Sequence, residues 1–253
     1  MKHLKLFSNV SEYDAFKVSD DFVLPNVSYC KSEGLVLYHA VANDQSPYVM
    51  VDLGLPSGIL WADRNVGAAS PEDAGLYFQW GDTVGYTGEQ IANGEKTFAD
   101  WSDYWDTTDR GNTFNKYSED KLMSLQPEDD AATVNMGSEY RMPTVNECNE
   151  LINNCTTTYI DIDGNEVNSS NSNLKGIKLT GTNGNSIFMP LAFVNKSTII
   201  YGDRSYFWTS KLIRDEWEPG FLANMLEIAY NRNGVIFDYR FNGACIRGVK
   251  STK

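Results

Sequence analysis

The sequence predicts an α+β domain of two helices and short antiparallel strands, preceded by an extended, β-rich N-terminal arm. Three observations predict it. Dipeptides that favour tight reversals recur between short apolar stretches, at Asp163-Gly164, Asn183-Gly184, Asn233-Gly234 and Asn242-Gly243. Helix-start chemistry occurs twice, at Ser70-Pro71 and at Pro143-Thr144. Residues 1–48 alternate short apolar and polar pieces in a manner unlike the rest of the chain.

In the arm, Tyr13-Asp-Ala-Phe16, Phe22-Val-Leu-Pro25, Val27-Ser-Tyr29 and Gly34-Leu-Val-Leu-Tyr38 read as extended strands with few local partners. A lone hairpin is barely stable in water, so the arm is expected to lie on the following domain, a sister subunit or another protein. Asn43-Asp-Gln-Ser-Pro47 marks the boundary, leaving residues 49–253 as the main domain.

Ser70-Pro71-Glu72-Asp73 supplies a cap, a Pro at the first helical position and acids in the first turn, and Gly75 closes that helix after one turn. Thr144-Val-Asn-Glu147 is a capping box, and Val145, Cys148, Leu151, Ile152 and Cys155 follow at helical spacing, so one face packs inward. Residues 174–193 read as a hairpin, and residues 225–230, 235–239 and 245–249 as closing strands. Trp61, Trp80 and Trp208 are expected in the core. Arg141 with Asp129 or Asp130 is a candidate buried ion pair. Gly54, Gly58, Gly81 and Gly184 are expected in turns.

Hydrophobic residues make up 42% of the 253, with 6 Trp, 14 Tyr and 12 Phe, enough for a sizeable core. The net charge of −13 repels phosphate backbones and anionic lipid heads, which argues against nucleic acid and membrane as partners. No apolar run approaches the roughly 20 residues that span a bilayer. Between Asp100 and Asp130, nine Asp/Glu face three Lys/Arg, which reads as a solvated, loop-rich face rather than a calcium cluster. Asp161-Ile-Asp163-Gly-Asn165 has its Gly at the fourth position, where a calcium loop needs it at the sixth, and reads as a hairpin turn. The opening Met1-Lys-His-Leu-Lys-Leu-Phe7 is too short for an export segment. The chain is therefore expected to be made without a classical export tag, or to have lost one.

Of the four cysteines, Cys148 and Cys155 are about 10 Å apart along a helix, too far for a disulfide. Buried free thiols are expected, with a Cys155–Cys245 bridge as the alternative and Cys30 in the arm. The two histidines, His3 and His39, both lie in the arm. The main domain thus has no Ser-His-Asp triad, Cys-His pair or His-containing zinc site. It also lacks a phosphate-binding glycine loop and a dinucleotide fingerprint. No catalytic residue, metal or cofactor is expected. The remaining enzymatic alternative is a carboxylate-based glycoside hydrolase, whose two acids must flank one sugar bond at about 5–9.5 Å.

More specific motifs run through the main domain in order. They are Val51-Asp-Leu-Gly-Leu-Pro-Ser-Gly-Ile-Leu-Trp-Ala62, Asn65-Val-Gly-Ala68, Pro71-Glu72, Tyr77-Phe-Gln-Trp-Gly81, Leu125-Gln-Pro-Glu-Asp-Asp-Ala-Ala132, Tyr140-Arg-Met-Pro-Thr144, Glu150-Leu-Ile-Asn-Asn-Cys155, Asn183-Gly-Asn-Ser-Ile-Phe-Met-Pro190, Phe207-Trp-Thr-Ser210 and Ile246-Arg247. In this set residues 49–250 resemble the Fibrobacter succinogenes major paralogous domain family. That family is similar to the C-type-lectin-like fold, which implies an α+β domain whose ends meet and which carries a loop-rich binding face. Most members look like surface proteins of Bacteroidetes. In the arm, Phe22-Val-Leu-Pro-Asn-Val-Ser-Tyr-Cys30 and Leu35-Val-Leu-Tyr-His39 resemble N-terminal segments of structural proteins from phages of gut Bacteroidetes.

The resemblance implies ligand contacts from the late strands and their loops, here residues 201–242. Tyr201, Arg204, Trp217, Tyr230, Arg232, Tyr239, Arg240 and Asn242 are the candidate ligand-binding residues, of types that make rigid or adaptable contacts. Glu218-Pro219-Gly220 departs from the calcium-lectin loop motif at its third residue, and no Trp-Asn-Asp follows. No cysteine pair matches the one that formylglycine-generating enzymes need. The expected function is a non-catalytic virion structural or attachment protein, such as a head fibre, capsid decoration or tail-associated component. Residues 1–48 would hold other virion proteins and the main domain a host glycan or protein, in a homo-dimer or homo-trimer. The alternative is a bacterial cell-surface adhesin.

Overall fold

The computed structural model of the chain describes residues 5–7, 27–30, 35–38 and 48–252, apart from residues 103, 108–112, 168–172, 203, 215–219 and 231. Two compact units divide it, residues 1–46 and 47–253. In the first, strands β1 (Lys5–Phe7), β2 (Val27–Cys30) and β3 (Leu35–Tyr38) form one sheet in that order. β1 and β2 are parallel; β2 and β3 are antiparallel, with Val27 opposite Tyr38. The strands expected near residues 27–29 and 34–38 are present, but they pair with one another instead of lacking local partners. The expected strands at residues 13–16 and 22–25 lie outside the described residues.

The second unit is mostly β, in small and largely antiparallel sheets. β4 (Met50–Asp52) and β15 (Val249–Lys250) flank β5 (Leu60–Ala62), both antiparallel to it, so the start and end of this unit meet in one sheet. A four-stranded sheet has the order β7 (Glu166–Val167), β6 (Thr156–Asp161), β8 (Leu174–Thr180), β9 (Ser186–Pro190). β10 (Ala192–Asn195) and β11 (Thr198–Tyr201) make a hairpin. β12 (Arg204–Leu212), β13 (Leu222–Ala229) and β14 (Arg232–Tyr239) form an antiparallel meander. The helices are α1 (Gly88–Ala92), α2 (Ala131–Met136) and α3 (Val145–Asn154), with a 3₁₀ turn at Pro127–Asp129.

This overturns the α+β, C-type-lectin-like expectation with its two helices. Among the described residues three short helices sit among dominant strands, and the first expected helix does not form. Residues 70–73 make a turn in which the Asp73 N–H donates to the Ser70 carbonyl at 3.2 Å. The segment is tied sideways instead: Leu76 N–H donates to Val66 O at 2.9 Å, and Asn65 Nδ2 to Ala74 O at 2.9 Å. One turn of helix gains too few bonds to offset the cost of its nucleus, so these tertiary bonds prevail.

α3 forms where expected. Thr144 Oγ1 accepts the Glu147 N–H at 3.3 Å, and Glu147 Oε2 accepts the Thr144 N–H at 2.8 Å. The expected Arg141–Asp129/Asp130 pair is corrected. Arg141 meets Glu147 through both terminal nitrogens, at 2.8 and 2.5 Å. Burial raises the Glu147 carboxyl, but Arg141 and Thr144 outweigh it and hold the group below the usual carboxylate range. Asp130 instead caps α2 by accepting the Thr133 N–H at 3.0 Å, and it accepts the Met142 N–H at 2.9 Å. Asp129 accepts from Lys116 Nζ and from the Tyr117 hydroxyl.

Trp61, Trp80 and Trp208 are fully buried, and Gly54, Gly58, Gly81 and Gly184 have φ of 66°, 72°, 78° and 86° in turns. Cys148, Cys155 and Cys245 are free thiols. Asp161 to Asn165 is the reversal between β6 and β7, with the Asp161 N–H donating to Asn165 O at 3.0 Å. The turn expected at Asn233-Gly234 is displaced. Ala229 pairs with Arg232, so the reversal falls between those two and Asn233-Gly234 lies inside β14.

The reversal between β8 and β9 locks onto the end of β4. Thr182 Oγ1 donates to Gly54 O at 3.0 Å, and Asn183 and Asn185 donate to Asp52 O at 2.9 and 2.8 Å. Beneath it lies a buried cluster with Leu53, Trp61, Leu151, Ile177, Met189, Phe207 and Leu226. A second cluster gathers Phe78, Trp80, Tyr117, Met142, Trp208 and Met225.

Candidate functional site

The β12–β14 meander has two faces because side chains alternate along each strand. The cross-strand pairs Arg204–Ala229–Arg232, Tyr206–Glu227–Gly234 and Trp208–Met225–Ile236 place these residues on one face. Phe207, Leu226 and Val235 take the other face, and all three join the first core cluster. The polar half of the first face meets the β10–β11 hairpin. Together they form a pocket of about 180 Å³, lined among others by Phe193, Asn195, Lys196, Tyr206, Asp238 and Asn242.

Within it, the Phe193 and Tyr206 rings stand edge to face at 5.5 Å. Lys196 has φ 57°, a left-handed conformation imposed by the two-residue reversal that leaves Asn195 opposite Thr198. Its carbonyl accepts the Phe98 N–H at 2.9 Å, which fixes this lip of the pocket. Burial pushes the Asp238 carboxyl above the usual carboxylate range, against the opposing pull of the Tyr239 N–H and the Asn242 side chain. Burial also raises the Tyr206 hydroxyl, while Arg204 pulls it down.

Beyond Tyr206, Glu227 is buried to 2% side-chain exposure between two arginines. Arg204 Nη1 reaches its Oε1 at 3.4 Å, and Arg232 Nε its Oε2 at 2.8 Å. The second contact is an ion pair without hydrogen-bond alignment, since Oε2 has no hydrogen-bond partner.

The eight sequence-derived candidates scatter. Asn242 lines the pocket, and Arg204 and Arg232 flank Glu227 on the same sheet face. Tyr201 is 72% exposed on the lip of a separate cleft of about 320 Å³, whose lining includes Ile162, Leu174 and Leu191 and the ion pair of Lys175 with Glu72. Tyr230 packs on Tyr159 at 4.9 Å and against the core, and Tyr239 stacks on Phe241 at 5.4 Å and 7°. Both serve packing. Trp217 lies outside the described residues.

Arg240 is fully buried and is not a ligand contact. Its Nη1 lies 3.2 Å from Asp106 Oδ2 and donates to Tyr117 O at 3.1 Å. The guanidinium lies 3.9 Å from the Phe114 ring centre, 5.2 Å from Tyr104 and 5.5 Å from Trp80. Burial lowers its pKa, with Tyr104 and Asp106 opposing.

Sequence reasoning missed Phe193, Tyr206 and Asp238. The available signal was the two-residue period of residues 204–212, which puts Tyr206 on the same face as Arg204. In the acid-rich stretch Asp100, Asp120 and Glu128 are exposed, as expected of a solvated face. Asp106 and Asp130 depart from it: they are buried and accept backbone N–H groups, which holds loops together. Among the described residues no group of three or more His, Cys, Asp or Glu is placed to hold a metal ion, and no helix is long and apolar enough to cross a membrane. No family model, curated protein or solved structure matches the chain.

Proposed function

We propose that the chain is a non-catalytic attachment protein of a phage particle, with residues 1–46 as the anchoring unit and the pocket between β10–β11 and β12–β14 as a glycan-binding site. The observation that carries this reading is the composition of the pocket. An edge-to-face aromatic pair, Phe193 and Tyr206, stands beside a carboxylate and two amides, Asp238, Asn195 and Asn242. Aromatic faces stack on the C–H faces of sugars, and carboxylates and amides accept and donate to hydroxyls. Asp238 is the one carboxylate among the described residues lining the pocket, whereas hydrolysis of a sugar bond uses two. Further support comes from the sequence resemblance of the arm to phage structural proteins.

Glycan-array binding of the full chain tests the pocket. Tyr206→Ala and Asp238→Asn are each expected to weaken binding at least about tenfold. Binding is expected to fall as the pH drops through the raised Asp238 pKa, beginning above the ordinary carboxylate range, and Asp238→Asn is expected to flatten that profile. Stability takes the opposite sign. A carboxyl whose folded pKa exceeds the unfolded one favours the fold most below the unfolded value and loses that advantage as the pH rises through the folded one. Asp238→Asn is therefore expected to keep or raise the melting temperature at pH 7 while weakening binding. Undiminished glycan binding by both variants would rule the pocket out.

The anchoring role has its own test. A chain lacking residues 1–46 is expected to melt cooperatively and keep glycan binding, but to be absent from assembled particles. Unfolding of that truncation would show instead that the arm completes the core.

A further inference from the structure

β14 is an edge strand of its sheet, with α3 packed near it and the Asn233 side chain donating to Thr157 Oγ1 at 3.2 Å. β14 pairs with β13 alone, through eight consecutive residues in unbroken register. Among the described residues, no backbone hydrogen bond outside that ladder involves residues 232–238. The strand contains no Pro and no Lys, the residues that commonly discourage a second strand from adding to an edge. Phe237 is 51% exposed on it. An eight-residue, partly apolar edge of this kind is a template for another strand.

The sequence of β14 suits a second copy of itself. In an antiparallel ladder, the residues that exchange both N–H···O=C bonds face the partner, and they alternate with residues facing the other neighbour. Two copies related by a two-fold axis must set outward-facing residues against outward-facing ones. The axis therefore passes through a residue, never between two. The residues nearest the middle of the strand are Val235 and Ile236. An axis through Ile236 places Asp238 opposite Gly234 and leaves Arg232 without a facing acid. An axis through Val235 pairs Val235 with itself, Gly234 with Ile236, and Arg232 with Asp238 at both ends.

Three features favour the Val235 register. Opposite charges then meet directly across the strands, twice by symmetry. Arg232 contacts Glu227 through Nε, and its side chain is 67% exposed, so the guanidinium is accessible to a second carboxylate. A Cβ added at Gly234 meets nothing within 4 Å, which leaves room for the facing Ile236. We infer that two copies of this chain associate through β14, antiparallel and centred on Val235, to form one continuous six-stranded sheet. Because Asp238 also lines the pocket, Arg232 of the second copy would stand at the pocket's border. The inference concerns assembly and does not rest on the glycan reading.

Light scattering of the full chain across a concentration series is the test, with each chain contributing 28.4 kDa. A mass of two chains is expected. Gly234→Trp fills space that is open in one copy and occupied in the pair, so it is expected to weaken association at least tenfold while leaving the melting temperature of the single chain unchanged. Val235→Cys is expected to yield a covalent dimer under mild oxidation, since directly opposed residues on neighbouring strands lie within disulfide reach. Phe237→Cys, which would face Asn233, and the parent chain are expected not to cross-link. A mass of one chain, or a larger mass that Gly234→Trp leaves unchanged, would overturn the inference. Failure of Val235→Cys to cross-link would overturn it equally.

Discussion

Replacing Arg240 by Ala is expected to destabilise the second unit by about 3–5 kcal/mol, the usual cost of removing one member of a buried ion pair. Both members, Arg240 and Asp106, have no exposed side-chain area. Asp106 also accepts the N–H groups of Lys116 at 2.7 Å and Tyr117 at 3.0 Å, so it stays in place without the arginine and becomes an uncompensated buried charge. The aromatic cage around the guanidinium would then border a void. Equilibrium denaturation measures the loss. Arg240→Lys is expected to recover little, because an ammonium cannot lie flat against Phe114 while reaching Asp106. Arg240→Met combined with Asp106→Asn is expected to cost less than the two single changes added together, since no buried charge remains. A loss below about 1 kcal/mol for Arg240→Ala would mean that water reaches this pair and that the buried description is wrong.

Gly181→Ala is expected to be nearly as damaging, for a steric reason. A Cβ on Gly181 would lie 1.9 Å from the Leu53 carbonyl oxygen, 2.7 Å from its carbon and 2.8 Å from its Cα. These are backbone atoms of a fully buried residue and cannot swing aside. The reversal between β8 and β9 must lift off, breaking the bonds of Thr182, Asn183 and Asn185 to the end of β4. The expected cost is at or beyond the upper end of the about 1–3 kcal/mol typical of overpacking. Gly164→Ala serves as the contrast. Gly164 has φ 84° with nothing within 4 Å of an added Cβ, so only left-handed strain of about 1–2 kcal/mol applies. Melting temperatures should rank the two variants in that order. The reverse order would show that β4 is not clamped by this reversal.

The features legible in the sequence were those encoded locally. The Thr144–Glu147 capping box specifies a helix start through bonds three residues apart, and the reversals at Asp163-Gly164 and Asn183-Gly184 follow from which residues tolerate a left-handed backbone. Features set by distant partners were misread. Ser70-Pro71 has the chemistry of a helix start, yet bonds from residues 65 and 66 hold it as a turn. Asn233-Gly234 has turn chemistry but lies in a strand whose register is set by β13. Arg240 has the composition of a contact residue, but its environment is assembled from Asp106, Phe114 and Trp80, more than a hundred positions away in sequence. The pocket was legible only in part for the same reason. Asn242 is near its lip in sequence, while Phe193 comes from another hairpin and Asp238 was hidden among strand residues.

The arrangement of β4 and β15 on either side of β5 also sets how the second unit bears mechanical load. Both outer strands run antiparallel to β5 and therefore parallel to each other, and Met50 lies level with Ala62 while Lys250 lies level with Leu60. A force drawing the chain outward at Met50 and Lys250 acts along the strands, not across them. The ladder bonds are then sheared together instead of being unzipped one at a time. Forced unfolding is governed by the unfolding rate, so a module tethered through its terminal strands would resist tension through this geometry, independently of how large its equilibrium stability is.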